Sequence, residues 1–526
     1  MPGTRDADVV VIGAGPGGLT TAAYLAAHGR RVMVVDAREV PGGHMSAFTH
    51  SGYEFDIGLH FTVADVARSV LDPLGVDVTF RDQGPRPVTL LLPHRRLTVP
   101  IGHREIGEWL HREFPGERHA VDSFLATISA LSEEMAHMPD RPRLRDVPEL
   151  TWGSRHLIRH ARSTLGSYLD TLHVSPELRA VLASFASEGA LPPSRMSLLV
   201  YARMADKLWS GMAYPEGGSS TISEGLASVL RDHEGEIVLG AEVDQILVEG
   251  GRARGVRVRP ASWDSSPEPA YDIHADTVVS TVDARQTYLR LVDPEVLPPR
   301  LIRRIRSLES ALPFFVVYLV VGRDLAAEGY PTANTTVAGS LDVEEAFRGL
   351  NAGRLGPSSW LYLWVANLAD PDNPRLCRPG QTNLQLMTVA PAAHDFWGAA
   401  PGRTTNARYA ARRRELRRRL ITLADRAVPG IEDSILFEEA ASPVTEERLM
   451  RVVGGTSYGP ALTPAQVLGR PGFVSPVEGL FLAGASSRGG PGLVGTLHGG
   501  VGAASAITGV PVKDLLDVSA RAPQSV

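Results

Sequence analysis

Residues 8 to 43 read DVVVIGAGPGGLTTAAYLAAHGRRVMVVDAREVPGG, and they decide the fold. The apolar, β-branched run Val9–Ile12 is too short for an independent helix and reads as a buried parallel strand. Gly13, Gly15 and Gly18 follow it as G-x-G-x-x-G. In that spacing the first glycine permits a tight turn and the second lets backbone approach a pyrophosphate. The third lets the next helix pack on the strand. Pro16 suits the first helical turn, where a missing N–H costs nothing, and the helix start aims free N–H groups at an anion. Arg31–Val35 reads as a second strand. Asp36 ends it, where a carboxylate accepts from ribose hydroxyls. The strand before, the helix after and the acid at its distance outweigh a chance Gly-rich turn. Together they specify a dinucleotide-binding βαβ unit, without separating nicotinamide from flavin.

The wider chain sets bounds on that unit. Its 526 residues suffice for two or three domains and a large core. Apolar residues make up 43% and charged residues 21%, as expected for a globular protein in water, and the net charge of −6 gives no bulk attraction to nucleic acid. A single cysteine, Cys377, excludes an intrachain disulfide. No apolar run reaches the roughly 18 residues of a transmembrane helix. The fold starts almost at Met1, which leaves no room for a signal peptide and gives a cytoplasmic expectation.

Two further α/β blocks follow. At 214–290, YPEGGSSTISEGL gives a Gly-rich turn and a helix. Strands Glu236–Leu239, Val243–Val248, Ala253–Val258 and Ala275–Thr281 come after it. From Glu478, Leu480–Ala483 is a short buried strand, Gly484–Gly495 a glycine-rich loop able to lie against a ligand, and Gly499–Ile507 a small-residue helix. Three separated blocks imply a discontinuous domain, 1–72, 214–290 and 445–513. Residues 73–213 and 291–444 then form a second domain, and 514–526 a tail. The first insertion reads as helical (Ala120–Met138, Pro176–Ala186). The second carries strands from Phe314, Trp360 and Thr382. Segment 260–270 reads as a loop.

These blocks carry a resemblance. Gly42-Gly43 after Asp36 is similar to the flavoprotein pattern in which a loop folds back over the FAD phosphates. With YPEGGSSTISEGL, VEGGRARGV, ADTVVSTVDARQTY and FLAGASSRGGPGLVG, the chain resembles the phytoene desaturase-like flavoproteins. That group includes phytoene desaturases, carotenoid isomerases and retinol saturases. Phe55–Phe61, Gly455–Gly459 and Arg470-Pro471 are similar to the retinol saturase side. The resemblance implies an α/β fold: a discontinuous Rossmann-type FAD-binding domain, glutathione reductase/amine oxidase-like, with an inserted α+β substrate domain. It implies FAD held by Gly13, Gly15, Pro16, Gly18, Asp36, Ala37, Arg38, Gly42, Gly43, His44, Gly58, Leu59, His60, Val243, Gly484, Ala485, Gly492, Leu493 and Val494. Pro215–Gly218 is expected to complete the cradle. Two positions depart from the wider pattern: His44 stands where an arginine is common, and Ala485 follows Gly484 where an aspartate is common.

His60 and Tyr458 are the candidate catalytic residues. By the resemblance His60 approaches the flavin, where an imidazole titrating near neutrality relays a proton or orients substrate. A packed core histidine is the competing reading, as a core tyrosine is for Tyr458. His156 and His160 lie at i, i+4, but no acidic or cysteine partner is near and no metal is expected. ARRRELRRRL from Ala411 carries an apolar stripe of Leu416, Leu420 and Leu423. It reads as a solvated helix face, with docking on anionic lipid as the alternative. MSLLVYARMADKLW from Met196 reads as tunnel lining or core rather than a lid.

The resemblance implies an FAD-dependent oxidoreductase acting on C–C or C=C bonds of an elongated apolar substrate, by hydride transfer with flavin N5. An isoprenoid, a carotenoid-like polyene or a secondary-metabolite chain fits that description. A flavin-dependent amine oxidase, a monooxygenase or a prenyl-binding chaperone of the same fold are the alternatives. A lipophilic small molecule is the expected partner, peripheral membrane contact is open, and oligomeric state is unread.

Overall fold

The structure is a computed structural model that describes residues 5–137, 154–261, 269–350, 360–399 and 406–517. Residues 262–268 of the expected loop and 518–526 of the expected tail lie outside these. So does Met138, the end of an expected helix.

The first strand, Arg5–Ile12, sits inside a seven-stranded sheet. It pairs in parallel with Val32–Val35 on one side and Tyr271–Ser280 on the other. Glu236–Val238 extends the sheet beyond Val32–Val35. Arg252–Pro260 and Ala241–Glu249 join as an antiparallel ribbon at the other end, and Leu480–Leu482 pairs in parallel with Tyr271–Ser280. Strands from three distant parts of the chain therefore share one sheet. Val9, Val10, Val11 and Val34 are all buried, because helices cover one face and the ribbon side packs on the other. This is the signature of a parallel sheet covered on both faces. The α/β, Rossmann-type FAD-binding fold expected from the sequence is the one observed.

The helix Pro16–Ala26 packs against Gly492–Thr508. The contact is close because both faces are small: a Cβ on Gly500 would stand 2.8 Å from the Gly17 carbonyl. This second helix begins at Gly492, seven positions earlier than Gly499, where the small-residue run starts.

A second seven-stranded sheet runs Ile435–Ala441, Phe314–Val321, Thr382–Val389, Trp360–Val365, Asn334–Ala338, Val88–Leu91, Arg96–Val99. Its pairs are antiparallel except Asn334–Ala338 with Val88–Leu91. Alternation sorts its side chains. Phe315, Val317, Leu319, Leu361, Leu363, Leu384 and Leu386 pack on the helix Ala407–Ala424. Tyr318, Trp360, Tyr362, Trp364 and Met387 point to the opposite face. A layer of helices, among them Arg118–Ala136, Leu165–Leu172 and Leu198–Ser210, forms a third core. Among the described residues no helix is long and apolar enough to cross a membrane.

Candidate active site

One cavity of about 1760 Å³ runs from the Gly-rich turn of the first sheet to the aromatic face of the second. Single small-molecule pockets span roughly 300–1,000 Å³, so there is room for a cofactor and a second molecule together. Ile158, Leu468 and Val474 line it while each is more than half exposed, which marks its mouth.

At the nucleotide end, Gly13 N–H donates to the Val35 carbonyl, and φ is +101° at Gly13. Gly42 N–H donates to the Ala14 carbonyl at 2.7 Å, and a Cβ on Gly43 would stand 3.1 Å from Gly15 Cα. The two glycine turns therefore close one wall together. Gly15 has no protein atom within 4 Å of its absent Cβ, and the same holds for Gly490 and Gly492, yet all three line the cavity. Gly490 and Gly492 stand at φ +85° and +79°, where the backbone itself favours glycine; at Gly15, φ −72°, neither packing nor backbone gives a reason for glycine, whereas a ligand lying on the backbone does. Gly18 is different. Its Cβ would collide with the Gly13 carbonyl, so it serves helix packing and does not line the cavity.

Asp36 lies half-buried in this wall. Its Oδ2 accepts from Ala14 N–H at 2.7 Å and its Oδ1 from Arg38 N–H at 2.8 Å, while burial pushes its acidity toward a higher pKa. Arg38 Nη1 donates to the Gly43 carbonyl and to Ser46 Oγ, which ties the two turns together. Ala37, Arg38, Val243, Gly58, Leu59, His60, Gly484, Ala485, Leu493 and Val494 all line the cavity. His44 also lines it, with Nε2 3.6 Å from Glu446 Oε2. The cradle fits an FAD: open glycines, a half-buried acid at the strand end and a helix N-terminus beside them.

The Pro215–Gly218 block corrects the expectation made of it. It does not line the cavity. Instead Tyr214 Oη and Ser219, through N–H and Oγ, donate to the buried Asp56 carboxylate. A Cβ on Gly42 would stand 2.8 Å from Ser223 Oγ. The block is a buttress beneath the cradle.

At the other end, His60 Nε2 lies 3.0 Å from Gln385 Oε1, and Gln385 Nε2 donates to the Asp56 carbonyl at 3.0 Å. Gln385 Oε1 is therefore the acceptor and His60 the donor, which leaves Nδ1 unprotonated. The ring packs edge-on against Tyr362 and Trp364. Burial pushes its pKa down to about 4. The expected imidazole titrating near neutrality is thus corrected: His60 is a neutral donor fixed by Gln385.

Tyr458 lines the cavity edge-on to Phe314, with its pKa raised by burial. Among the described residues His156 and His160 do not converge on a metal cluster; His156 does have an acidic partner, contrary to expectation, with Nδ1 2.7 Å from Glu134 Oε1, and His160 is buried against Tyr168. Leu199, Val200, Arg203, Met204, Lys207 and Leu208 of the helix Leu198–Ser210 line the cavity, as the tunnel reading expected.

Sequence reasoning missed Gln385, Trp360, Tyr362, Glu188 and Glu446. For Gln385 a signal existed. Asn383 and Gln385 are polar at alternate positions of a fully buried strand, and both reach the backbone of the strand Tyr53–Asp56 that leads to His60. Glu188 lies on a short 3-10 segment, Ser184–Gly189, with no sequence pattern to flag it.

Residues 16–508 match the family described as flavin containing amine oxidoreductase. The human all-trans-retinol 13,14-reductase is 25% identical over 95% of this chain and 85% of its own length. Prolycopene isomerase of Arabidopsis thaliana is 25% identical over 94% of this chain and 81% of its own. An inactive all-trans-retinol 13,14-reductase of Danio rerio is equally similar, at 25% over 95% and 85%. Among solved structures, putrescine oxidase bound to putrescine superposes with a TM-score of 0.65 at 17% identity, covering 97% of this chain and 100% of that one. Cyclohexylamine oxidase of Brevibacterium oxydans gives 0.62 at 18% identity, covering 98% and 100%. These two likenesses show the shared fold.

Proposed function

The chain belongs to the flavin-containing amine oxidoreductase family and is an FAD-dependent oxidoreductase, and from that premise we propose that it acts on a C–C or C=C bond of an elongated, apolar, unsaturated molecule. The observation that carries this is the cavity itself: it continues past the cradle into a wall of Phe314, Val316, Trp360, Tyr362, Met387 and Leu462. Such a wall holds a hydrocarbon by burial, at roughly 25 cal/mol per Å² of apolar surface. The sequence relatives named for retinol and prolycopene support the same substrate class.

In this reading Gly13, Gly15, Pro16 and the helix they start would hold the pyrophosphate, and Asp36 the ribose. Arg38, Gly43 and His44 would close over the phosphates, and Val243 would lie against the adenine. Gly484, Ala485, Gly492, Leu493 and Val494 would carry the ring system, with Gly58, Leu59 and His60 facing it. When bound, the flavin supplies hydride exchange with a substrate carbon. His60, neutral and fixed, orients the substrate or the cofactor edge through one hydrogen-bonding nitrogen. The apolar wall excludes water. Residues 1–72, 214–290 and 445–513 then form the FAD-binding domain, and 73–213 with 291–444 the substrate domain.

A second reading is amine oxidation, favoured by the aromatic residues Trp360, Tyr362 and Tyr458 that line the cavity. Anaerobic mixing of FAD-loaded protein with unsaturated isoprenoids, putrescine and cyclohexylamine separates the two. Isoprenoids are expected to bleach oxidised flavin or to reoxidise reduced flavin. Bleaching by the amines alone would overturn the proposal.

A further inference from the structure

Glu188 presents an unusual environment. It lines the cavity, and among the described residues it makes no ion pair and no side-chain hydrogen bond. The titratable groups that feel it are neutral phenols: Tyr201 on the helix Leu198–Ser210, Tyr362 on the second sheet and Tyr458 on the loop. Two of those hydroxyls are committed elsewhere, Tyr201 to the Leu182 carbonyl and Tyr362 to Asn334 Oδ1. The cavity's cations also leave Glu188 unpaired. Arg470, for example, donates to the Ala485 and Pro460 carbonyls. A half-buried carboxyl in a cavity wall with no donor and no cation has no structural task to explain it. Such a group keeps its proton, because desolvation disfavours the charged form. Burial pushes the Glu188 pKa up to about 8.

Its position is close to the flavin loop. The Ala190 carbonyl accepts from Leu312 N–H, and next to it Ala311 N–H donates to the Gly459 carbonyl at 2.9 Å. A Cβ on Gly459 would stand 3.8 Å from Ala485. Tyr458 and Ala190 share one apolar cluster with Ala311. The acid therefore sits beside the segment that abuts the ring-binding loop, inside the apolar part of the cavity.

We infer that Glu188 is the residue that gives a proton to a substrate carbon while the cavity's C=C bond is reduced. The inference rests on the function proposed above and sets its direction toward saturation. The double bond gains a hydride on one carbon from the two-electron-reduced flavin, and the second carbon takes the proton from the Glu188 O–H. The C=C π bond, the carboxyl O–H bond and the flavin N–H bond that carried the hydride break, and two C–H bonds form. Glu188 is left as a carboxylate and recovers a proton from water entering through the mouth near Ile158, Leu468 and Val474. Oxidised flavin is the other product, so electrons balance. The unsaturated isoprenoid must come from a reaction class that leaves a conjugated chain, and a two-electron donor must reload the flavin.

The test uses FAD-loaded wild type, Glu188→Gln and Glu188→Asp, with all-trans-retinol, geranylgeraniol and lycopene as probes. Under anaerobic conditions, reduced wild type is expected to be reoxidised by at least one probe, with deuterium from D₂O entering the product at the reduced bond. The rate should fall as pH rises through about 8. Glu188→Gln should lose at least about a hundredfold in that rate, the span expected for a lost general acid, with unchanged flavin spectrum and Tm. Glu188→Asp should recover part of the rate and keep the pH dependence. Independently of substrate, the infrared difference between wild type and Glu188→Gln, in which the buried Asp56 carboxyl cancels, should show the carbonyl stretch of a neutral carboxyl at pH 7 that fades near pH 8. Wild-type turnover that Glu188→Gln leaves unchanged, or the lack of that stretch, overturns the acid alone. Failure of wild type to react with any probe overturns the underlying function, and the acid with it.

Discussion

At the residue scale, two glycines of one motif do different work. Gly15 stands at φ −72°, a conformation any residue adopts, with empty space where its side chain would be. Gly18 would drive a Cβ into the Gly13 carbonyl. Gly15→Val is therefore expected to fold with unchanged Tm and to purify without flavin. Gly18→Ala is expected to lose about 1–3 kcal/mol of stability, the usual cost of overpacking. Thermal melts and flavin absorbance of both variants check this, and a colourless, destabilised Gly15→Val would count against the cradle. The turn at Gly13, the helix packing at Gly18 and the places of Gly15 and Asp36 on the cavity wall were legible because they depend on local spacing. The state of His60 was not. Its neutrality comes from burial between two sheets, and its orientation from a hydrogen bond to Gln385, more than three hundred positions away, that by itself favours the charged ring. No local pattern carries that information.

At the element scale, periodicity located nearly every strand and helix that mattered. Phe314–Val321, Trp360–Val365 and Thr382–Val389 were visible as continuous apolar runs because both faces are covered. Which face looks into the cavity was not visible, since pairing partners decide it. The basic helix Ala407–Ala424 shows the same division. Its stripe packs Leu416 and Leu420 into the core, as the pattern predicted. Its arginines are shared between solvent and the neighbouring strand: Arg413 pairs with Glu439 and Arg417 with Glu438. Arg414 and Arg418 remain exposed. Leu420→Ala is expected to cost about 2–5 kcal/mol, against less than about 0.5 kcal/mol for Arg418→Ala. Denaturant unfolding of the two variants measures the contrast, and equal costs would contradict the packing described.

At the scale of the whole molecule, the site exists only because distant segments converge. Gly15, Val243 and Gly484 line one cavity from three blocks of one sheet, while Glu188, Tyr362 and Tyr458 come from the helical layer, the second sheet and a loop. The cofactor end was readable because its fingerprint is repeated in fixed order along the chain. The substrate end was not, because shape there is set by how helices and the second sheet close over the cradle. The Pro215–Gly218 block marks the boundary: its glycines promised ligand contact, yet their turn holds Asp56 and supports the wall from behind. Both ends together support the redox chemistry proposed for an apolar unsaturated chain. The mass of the product from a single anaerobic turnover tests this most directly. Reduced, FAD-loaded protein mixed with the isoprenoid that reoxidises it fastest should yield a molecule heavier by two hydrogens, with the flavin oxidised in equal amount. An unsaturated chain recovered unchanged, alongside putrescine or cyclohexylamine that has lost two hydrogens to oxidised flavin, would contradict it.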